Sequence, residues 1–265
     1  MKRRLPEHMI EGTAFVIDVD KRELRQSDNP ANVIRFEDMD YTGSSYRLKY
    51  DLDRKNLPYG LNSSPVKEII VPELVTLDPE GMAARYRLPV SVIKQKNDFE
   101  VMVNAELLAK RMNGMLPVVS VAGHDFFVDY RLGELRASDD FNTSIRLHEL
   151  DYFIEDELYR GFYHVPSRCM LEVNPVTIKE IPEGLVMLEI PIDRKLDPVA
   201  FAREEKLDIK ATVIKYPPEE KTVLRTIPAE QTNLSRLVRT NQKPRQQHET
   251  EKLRPVKKMR RGHRL

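Results

Sequence analysis

The chain has one cysteine, no tryptophan and only ten glycines in 265 residues, and each shortage excludes something. Cys169 alone cannot build an intramolecular disulfide framework and fits a reducing compartment. With few glycines and neither Gly-x-Gly-x-x-Gly nor Gly-x-x-x-x-Gly-Lys-Ser/Thr, a phosphate-cradling loop and the nucleotide folds built on it are disfavoured. No apolar run approaches the roughly 18 residues that span a bilayer. The basic start, Met1-Lys2-Arg3-Arg4, is followed by no apolar signal-peptide core. The expectation is a cytoplasmic protein with no membrane partner. Hydrophobic residues at 40% and charged residues at 32% describe a soluble globular body with a polar surface.

What is present is a sequence written twice. Shifting the numbering by 111 aligns Leu5–Tyr41 with Leu116–Tyr152 without a gap, and fourteen of the 37 positions are identical, where chance would give roughly two. The identities include Gly12/Gly123, Phe15/Phe126, Asp18/Asp129, Glu23/Glu134, Arg25/Arg136, Asp28/Asp139, Arg35/Arg146, Asp40/Asp151 and Tyr41/Tyr152. The match continues at a shift of 113 around Tyr46-Arg47 and at 119 around Leu77-Asp78-Pro79, so the second copy has gained eight residues, expected within Phe153–Glu183. The expected fold is α+β: a tandem duplication of a small, mainly antiparallel β module with one or two short helices, plus a disordered basic C-terminal tail. The boundaries read as 5–97 for the first repeat, 98–115 for a strand–helix connector and 116–216 for the second repeat. A weakly ordered extension over 217–240 and the tail, 241–265, complete the chain.

Within the module, Thr13–Val19 and Glu23-Leu24-Arg25 form a β-hairpin, repeated around Phe126–Asp129 and Glu134–Arg136. Val33–Phe36 is extended. Ser45–Tyr50 begins a hairpin that turns at Asp53–Asn56 and returns near Leu57, and Glu68–Val71 is a buried strand. Asp78-Pro79 and Asp197-Pro198 open helices, Asp as cap and Pro at the first position. Met82, Ala83 and Tyr86 give the first of these helices its apolar stripe. Phe99–Val103 reads as a strand, Asn104 caps a helix with the face Ala105, Leu108 and Met112, and Ile209–Tyr216 reads as extended.

Two sets of residues invite chemistry. The shared carboxylates and arginines could do acid/base work only if they converged in one dry pocket; hairpin spacing makes them turn and ion-pair residues instead. His124, His148, His164 and Cys169, all in the second repeat, match no metal-ligand spacing. No catalytic, cofactor or metal residue is assigned, and no cofactor is expected.

The strongest signal is the tail. Arg236–Leu265 carries eleven Lys/Arg against two acids, a net +9, while residues 1–235 carry a net −8. Lys252, Arg254, Lys257, Lys258, Arg260, Arg261 and Arg264 could neutralise phosphates without reading sequence, or equally fold back on the acidic body or stay solvated. No aromatic residue follows Leu224, so the tail cannot stack on bases.

The stretch Gly123–Arg136, with its Phe-x-Val-Asp…Glu-Leu-Arg hairpin, the Ser27-Asp28-Asn29-Pro30 turn and the later Leu-Asp-Pro helix start, resembles uncharacterised Bacteroidota proteins of unknown function. The resemblance covers both copies and implies a bacterial cytoplasmic protein, with no activity to carry over. The function expected is a non-enzymatic binding or adaptor protein for an unknown protein partner, with nucleic-acid contact through the tail. The alternative is a hydrolase-like or metal-dependent enzyme with its site in the second repeat.

Overall fold

The computed structural model describes residues 3–60 and 65–242. The first half runs through β1 (Glu7–Ile10), β2 (Thr13–Asp18), β3 (Glu23–Gln26), β4 (Val33–Arg35), a 3₁₀ turn (Phe36–Asp38), β5 (Asp40–Tyr41), β6 (Ser45–Asp51) and β7 (Val66–Pro72). Helices α1 (Leu74–Leu77), α2 (Pro79–Tyr86) and α3 (Val90–Ile93) follow, and α4 (Asp98–Met102) and α5 (Ala105–Met112) lead into the second half. There β8 (Val118–Val121), β9 (His124–Asp129), β10 (Glu134–Ala137), β11 (Ser144–Arg146), β12 (Asp151–Phe153), β13 (Leu158–His164), β14 (Cys169–Leu171) and β15 (Leu185–Pro191) precede α6 (Asp193–Leu196), α7 (Pro198–Glu204) and α8 (Ile209–Lys215). The chain then adds β16 (Lys221–Val223), β17 (Arg225–Pro228) and α9 (Leu234–Gln242). Helices beside mainly antiparallel sheets make the fold α+β.

The halves match element by element. β1 to β4 start 111 residues before β8 to β11, β6 starts 113 before β13, and β7, α1, α2 and α3 start 119 before β15, α6, α7 and α8. The eight extra residues therefore enter as two between β12 and β13 and six between β13 and β15, where β14 lies. Backbone bonds repeat with the sequence: Ile17 N–H to the Pro6 carbonyl and Val128 N–H to the Pro117 carbonyl are both 2.9 Å. The β1–β2 turn Glu11-Gly12 (φ +46° and +77°) and the β8–β9 turn Ala122-Gly123 (+48° and +88°) put two successive residues in the left-handed region. That two-residue turn matches the twist of a hairpin, and glycine meets it without a Cβ penalty.

In the first half, the sheets β1-β2-β3-β4 and β5-β6-β7 close over Phe15, Leu24, Ile34, Phe36, Tyr46 and Val71. The rings of Phe15 and Tyr50 meet edge to face at 6.4 Å across them. Phe126, Leu135, Ile145, Tyr163, Leu188 and Ile190 build the second core. Helix α8, from the second half, packs on the first. It carries Ile214 into the first core, and its last carbonyls, on Ile214 and Lys215, accept from both terminal nitrogens of Arg22 at 2.6 and 2.8 Å. A cation at a helix C-terminus complements its partial negative charge.

Several expectations give way to capping chemistry. Phe99–Met102 lies in the helix α4 and not in a strand, because Asn97 accepts from Glu100 N–H while the Glu100 carboxylate accepts from Asn97 N–H, and Val103 is the helix's extended C-cap. Ile209–Lys215 is helical because Asp208 accepts from Ala211 N–H at 2.7 Å. Asn104, Asp78 and Asp197 cap as expected, but α5 buries Leu107 and Arg111, and Met112 is exposed. The partner of β6 is β7; near Leu57 there is only an isolated bridge, Asp51 with Asn56. In β7 only Val71 is buried. The extension over 217–240 supplies β16, β17 and the start of α9, with Leu224, Ala229, Leu234 and Val238 buried.

Asp98 shows how the connector is locked to the first half. Its carboxylate accepts from Leu74 and Val75 N–H, both at 2.9 Å, and from the Tyr46 hydroxyl at 2.7 Å. In return Glu73 accepts from Asp98 N–H at 3.0 Å and from the Tyr41 hydroxyl at 2.7 Å. Two helix N-termini thus cap each other, which satisfies amides that would otherwise be orphaned. Burial pushes the Asp98 carboxyl above its ordinary range, and its three donors pull the other way.

Candidate binding surface

The shared charged residues sit where a hairpin puts them. Asp18 lies opposite Glu23 and Asp129 opposite Glu134, and the arginine two residues on closes each set. Arg25 bonds Glu23 and reaches Asp18 at 3.3 Å; Arg136 bonds Asp129 at 2.7 Å and approaches Glu134 at 3.8 Å. Arg35 and Arg146 lie across the next strand pair from those same glutamates. Asp28 accepts from Gln26, and Asp139 from Arg168. Asp40 approaches Lys215 at 3.6 Å, Tyr41 donates to Glu73, and Tyr152 packs on Tyr159. Asp40 with Lys215 spans the halves; the other pairs lie within one half. We expect Arg136→Ala to cost about 1 kcal/mol, the range of a cross-strand ion pair, read by urea unfolding. Binding by the folded fraction should be unchanged; loss of binding at full stability would make Arg136 a contact residue.

Among the described histidines, only His164 meets Cys169. They face each other across the β13–β14 hairpin, and Ser167, in the turn, links them: its hydroxyl is 2.6 Å from His164 Nδ1 and 2.9 Å from the thiol. The His164 Nε2 nitrogen is 3.1 Å from the Glu183 carbonyl, which can only accept, so Nε2 is the donor there. Nothing in residue spacing singled out Ser167. His124 lies at the start of β9 and His148 in the 3₁₀ turn after β11. Among the described residues, no group of three or more His, Cys, Asp or Glu side chains is arranged to hold a metal ion. A cleft of about 400 Å³ between the halves is lined by Lys21, Arg22 and Arg35 with Glu37 on one side, and by Glu155, Asp156 and Glu157 with Lys195 on the other. Its charges balance: Lys195 sits 2.8 Å from Glu157 and 3.8 Å from Glu37.

The halves differ most at their sheet edges. In the second half the segment 221–228 runs parallel to β8, then crosses and runs antiparallel to β15. Leu224, at the crossing, is 4% exposed and donates its N–H to the Ser120 carbonyl at 2.9 Å. Arg225 then bonds Glu189 at 3.0 Å, and Arg160 holds the other carboxylate oxygen at 2.8 Å.

In the first half no strand among the described residues pairs with the outer edges of β1 and β7. Met9, which corresponds to Ser120, is 58% exposed against 7%, and Ile70, which corresponds to Glu189, is 66% exposed against 6%. β7 is also the longest edge strand among the described residues, seven residues against four or fewer elsewhere. The edges that 221–228 itself presents are short and carry Lys221, Arg225 and Pro228, features that blunt an edge.

No protein-family model, curated protein or solved structure matches the chain. Lys252, Arg254, Lys257, Lys258, Arg260, Arg261 and Arg264 lie outside the described residues. No helix among the described residues is long and apolar enough to cross a membrane.

Proposed function

We propose that the chain is a non-enzymatic binding or adaptor protein whose first half takes up a protein partner, with the basic residues beyond Thr240 adding sequence-independent contact to nucleic acid. The observation that carries the protein-binding part is the contrast between equivalent edges. The second half fills its own with 221–228, whereas the first leaves Met9 and Ile70 in solvent. An open edge offers main-chain donors and acceptors at strand spacing, the means by which many proteins hold an extended segment of another. A histidine and a serine on a surface hairpin carry no comparable signature.

A photo-cross-linking residue at position 70 of the full-length chain tests this in a native lysate. A control at Leu132, 59% exposed at the β9–β10 turn, reports non-specific capture. Position 70 should trap a discrete heterologous band that position 132 does not. No band, or the same bands from both positions, would remove the basis for the reading.

A further inference from the structure

From the second half used as a template, and resting on the adaptor reading above, we infer that β1 and β7 receive an extended segment of a partner protein, with two successive apolar residues and a basic residue two positions later. The register follows from what 221–228 does. Its Leu224 fills the crossing, and Arg225, Thr226, Ile227 and Pro228 lie opposite Glu189, Leu188, Met187 and Val186. At the offset of 119 between β7 and β15, those four facing positions become Ile70, Ile69, Glu68 and Lys67.

The change of facing residues dictates a change of occupant. Where the second half offers the buried carboxylate of Glu189 to Arg225, the first offers the exposed side chain of Ile70; an arginine there would lose its partner, and an aliphatic residue would cover Ile70. Where Ile227 faces Met187, the first half presents the exposed carboxylate of Glu68, which suits lysine or arginine. The chain's own segment therefore fits its own second half and mismatches its first, which argues against a second copy inserting 221–228 there. The crossing residue stays aliphatic, since it turns inward between the two sheets as Leu224 does. One obstacle lies on this path: Lys67 Nζ bonds Glu11 at 2.8 Å, from β7 to the β1–β2 turn, where the second half has Val186 and Ala122. The pair is exposed, 56% and 32%, and an exposed ion pair gives little resistance to displacement.

The test uses the full-length chain and a fluorescein-labelled peptide, Lys-Thr-Val-Leu-Ile-Thr-Lys-Pro, which is 221–228 with its fifth and seventh residues recast for Ile70 and Glu68. Its anisotropy should rise on titration, and the unaltered 221–228 peptide should bind more weakly. Glu68→Lys, at an exposed position opposite Lys49, should weaken the recast peptide about tenfold, with folding checked by urea unfolding, because an attractive cross-strand pair becomes a repulsive one. A third peptide with Glu as its seventh residue should recover the loss on the Glu68→Lys chain. No binding up to about 1 mM peptide, or affinity indifferent to Glu68→Lys, would overturn the assignment, as would a dimer of the chain that Ile70→Lys dissolves. If position 70 cross-links a foreign protein while the peptides ignore Glu68, the register fails and the adaptor reading stands.

Discussion

Asp98→Ala should destabilise the chain by about 3 kcal/mol or more, because it strands three donors at once in a site with no access for water. The Tyr46 hydroxyl and the amides of Leu74 and Val75 all end on this carboxylate, and Asp98 is wholly buried. Asp98→Asn should cost less. Its one carbonyl oxygen can serve Tyr46 and Leu74, which share a single oxygen of Asp98, but its amide then faces the N–H of Val75. The pH dependence has a definite sign. A carboxyl whose folded pKa is raised binds a proton that the unfolded chain has already lost, so its contribution is largest in acid and falls as pH rises through the folded value. Urea unfolding of wild type and both variants across the carboxyl range reads both effects; Asp98→Asn, with nothing to titrate there, should flatten the fall. Wild-type stability in Asp98→Ala would mean that the mutual capping of α1 and α4 does not hold the connector.

Removing the chain beyond Thr240 should abolish nucleic-acid affinity altogether. The charge is partitioned, a net +9 over Arg236–Leu265 against −8 over the rest, so the body should repel a phosphate backbone at long range and the tail should draw it in. If about five of these cations engage duplex phosphates, log K falls with log salt at a slope near −4 to −5, roughly a few hundred-fold between 50 and 200 mM salt. Affinity would be about 10⁻⁴ to 10⁻⁶ M at physiological salt and indifferent to sequence. Electrophoretic or anisotropy titration with two unrelated duplexes measures this directly. Binding by the truncated chain equal to that of the full chain would contradict it.

Most of the architecture was legible because it is stated twice. A hairpin such as Thr13–Gln26 is ambiguous once, and its reappearance at 124–137 with the same Asp, Glu and Arg set makes it a unit. The Asp-Pro helix starts were legible for the same reason. What misled was apolar density read without its caps: Phe99–Val103 and Ile209–Tyr216 are rich in β-branched and aromatic residues, yet Asn97 with Glu100, and Asp208, decide for helix. The open edges were not legible at all. Met9 and Ile70 look like core residues in a local pattern, and their exposure depends on whether a segment some 150 residues or more away lies on them, which no local rule encodes. A signal was present in Lys221–Pro228, whose Thr, Val and Ile content is that of a strand, but its place beside β8 and β15 is a tertiary fact.

Amide hydrogen exchange on the full-length chain tests the central claim most directly, by comparing β1 and β7 with β8 and β15. Half the amides of an uncovered edge strand point to solvent, so β1 and β7 should each show a fast-exchanging set, while Val118–Ser120 of β8 and Val186–Glu189 of β15, flanked on both sides, should be protected. Adding the recast peptide should slow the fast set in β7 and leave β15 unchanged. Equal protection of β7 and β15 in the free chain would show that the first edge is already occupied, and the account of an open acceptor would fall.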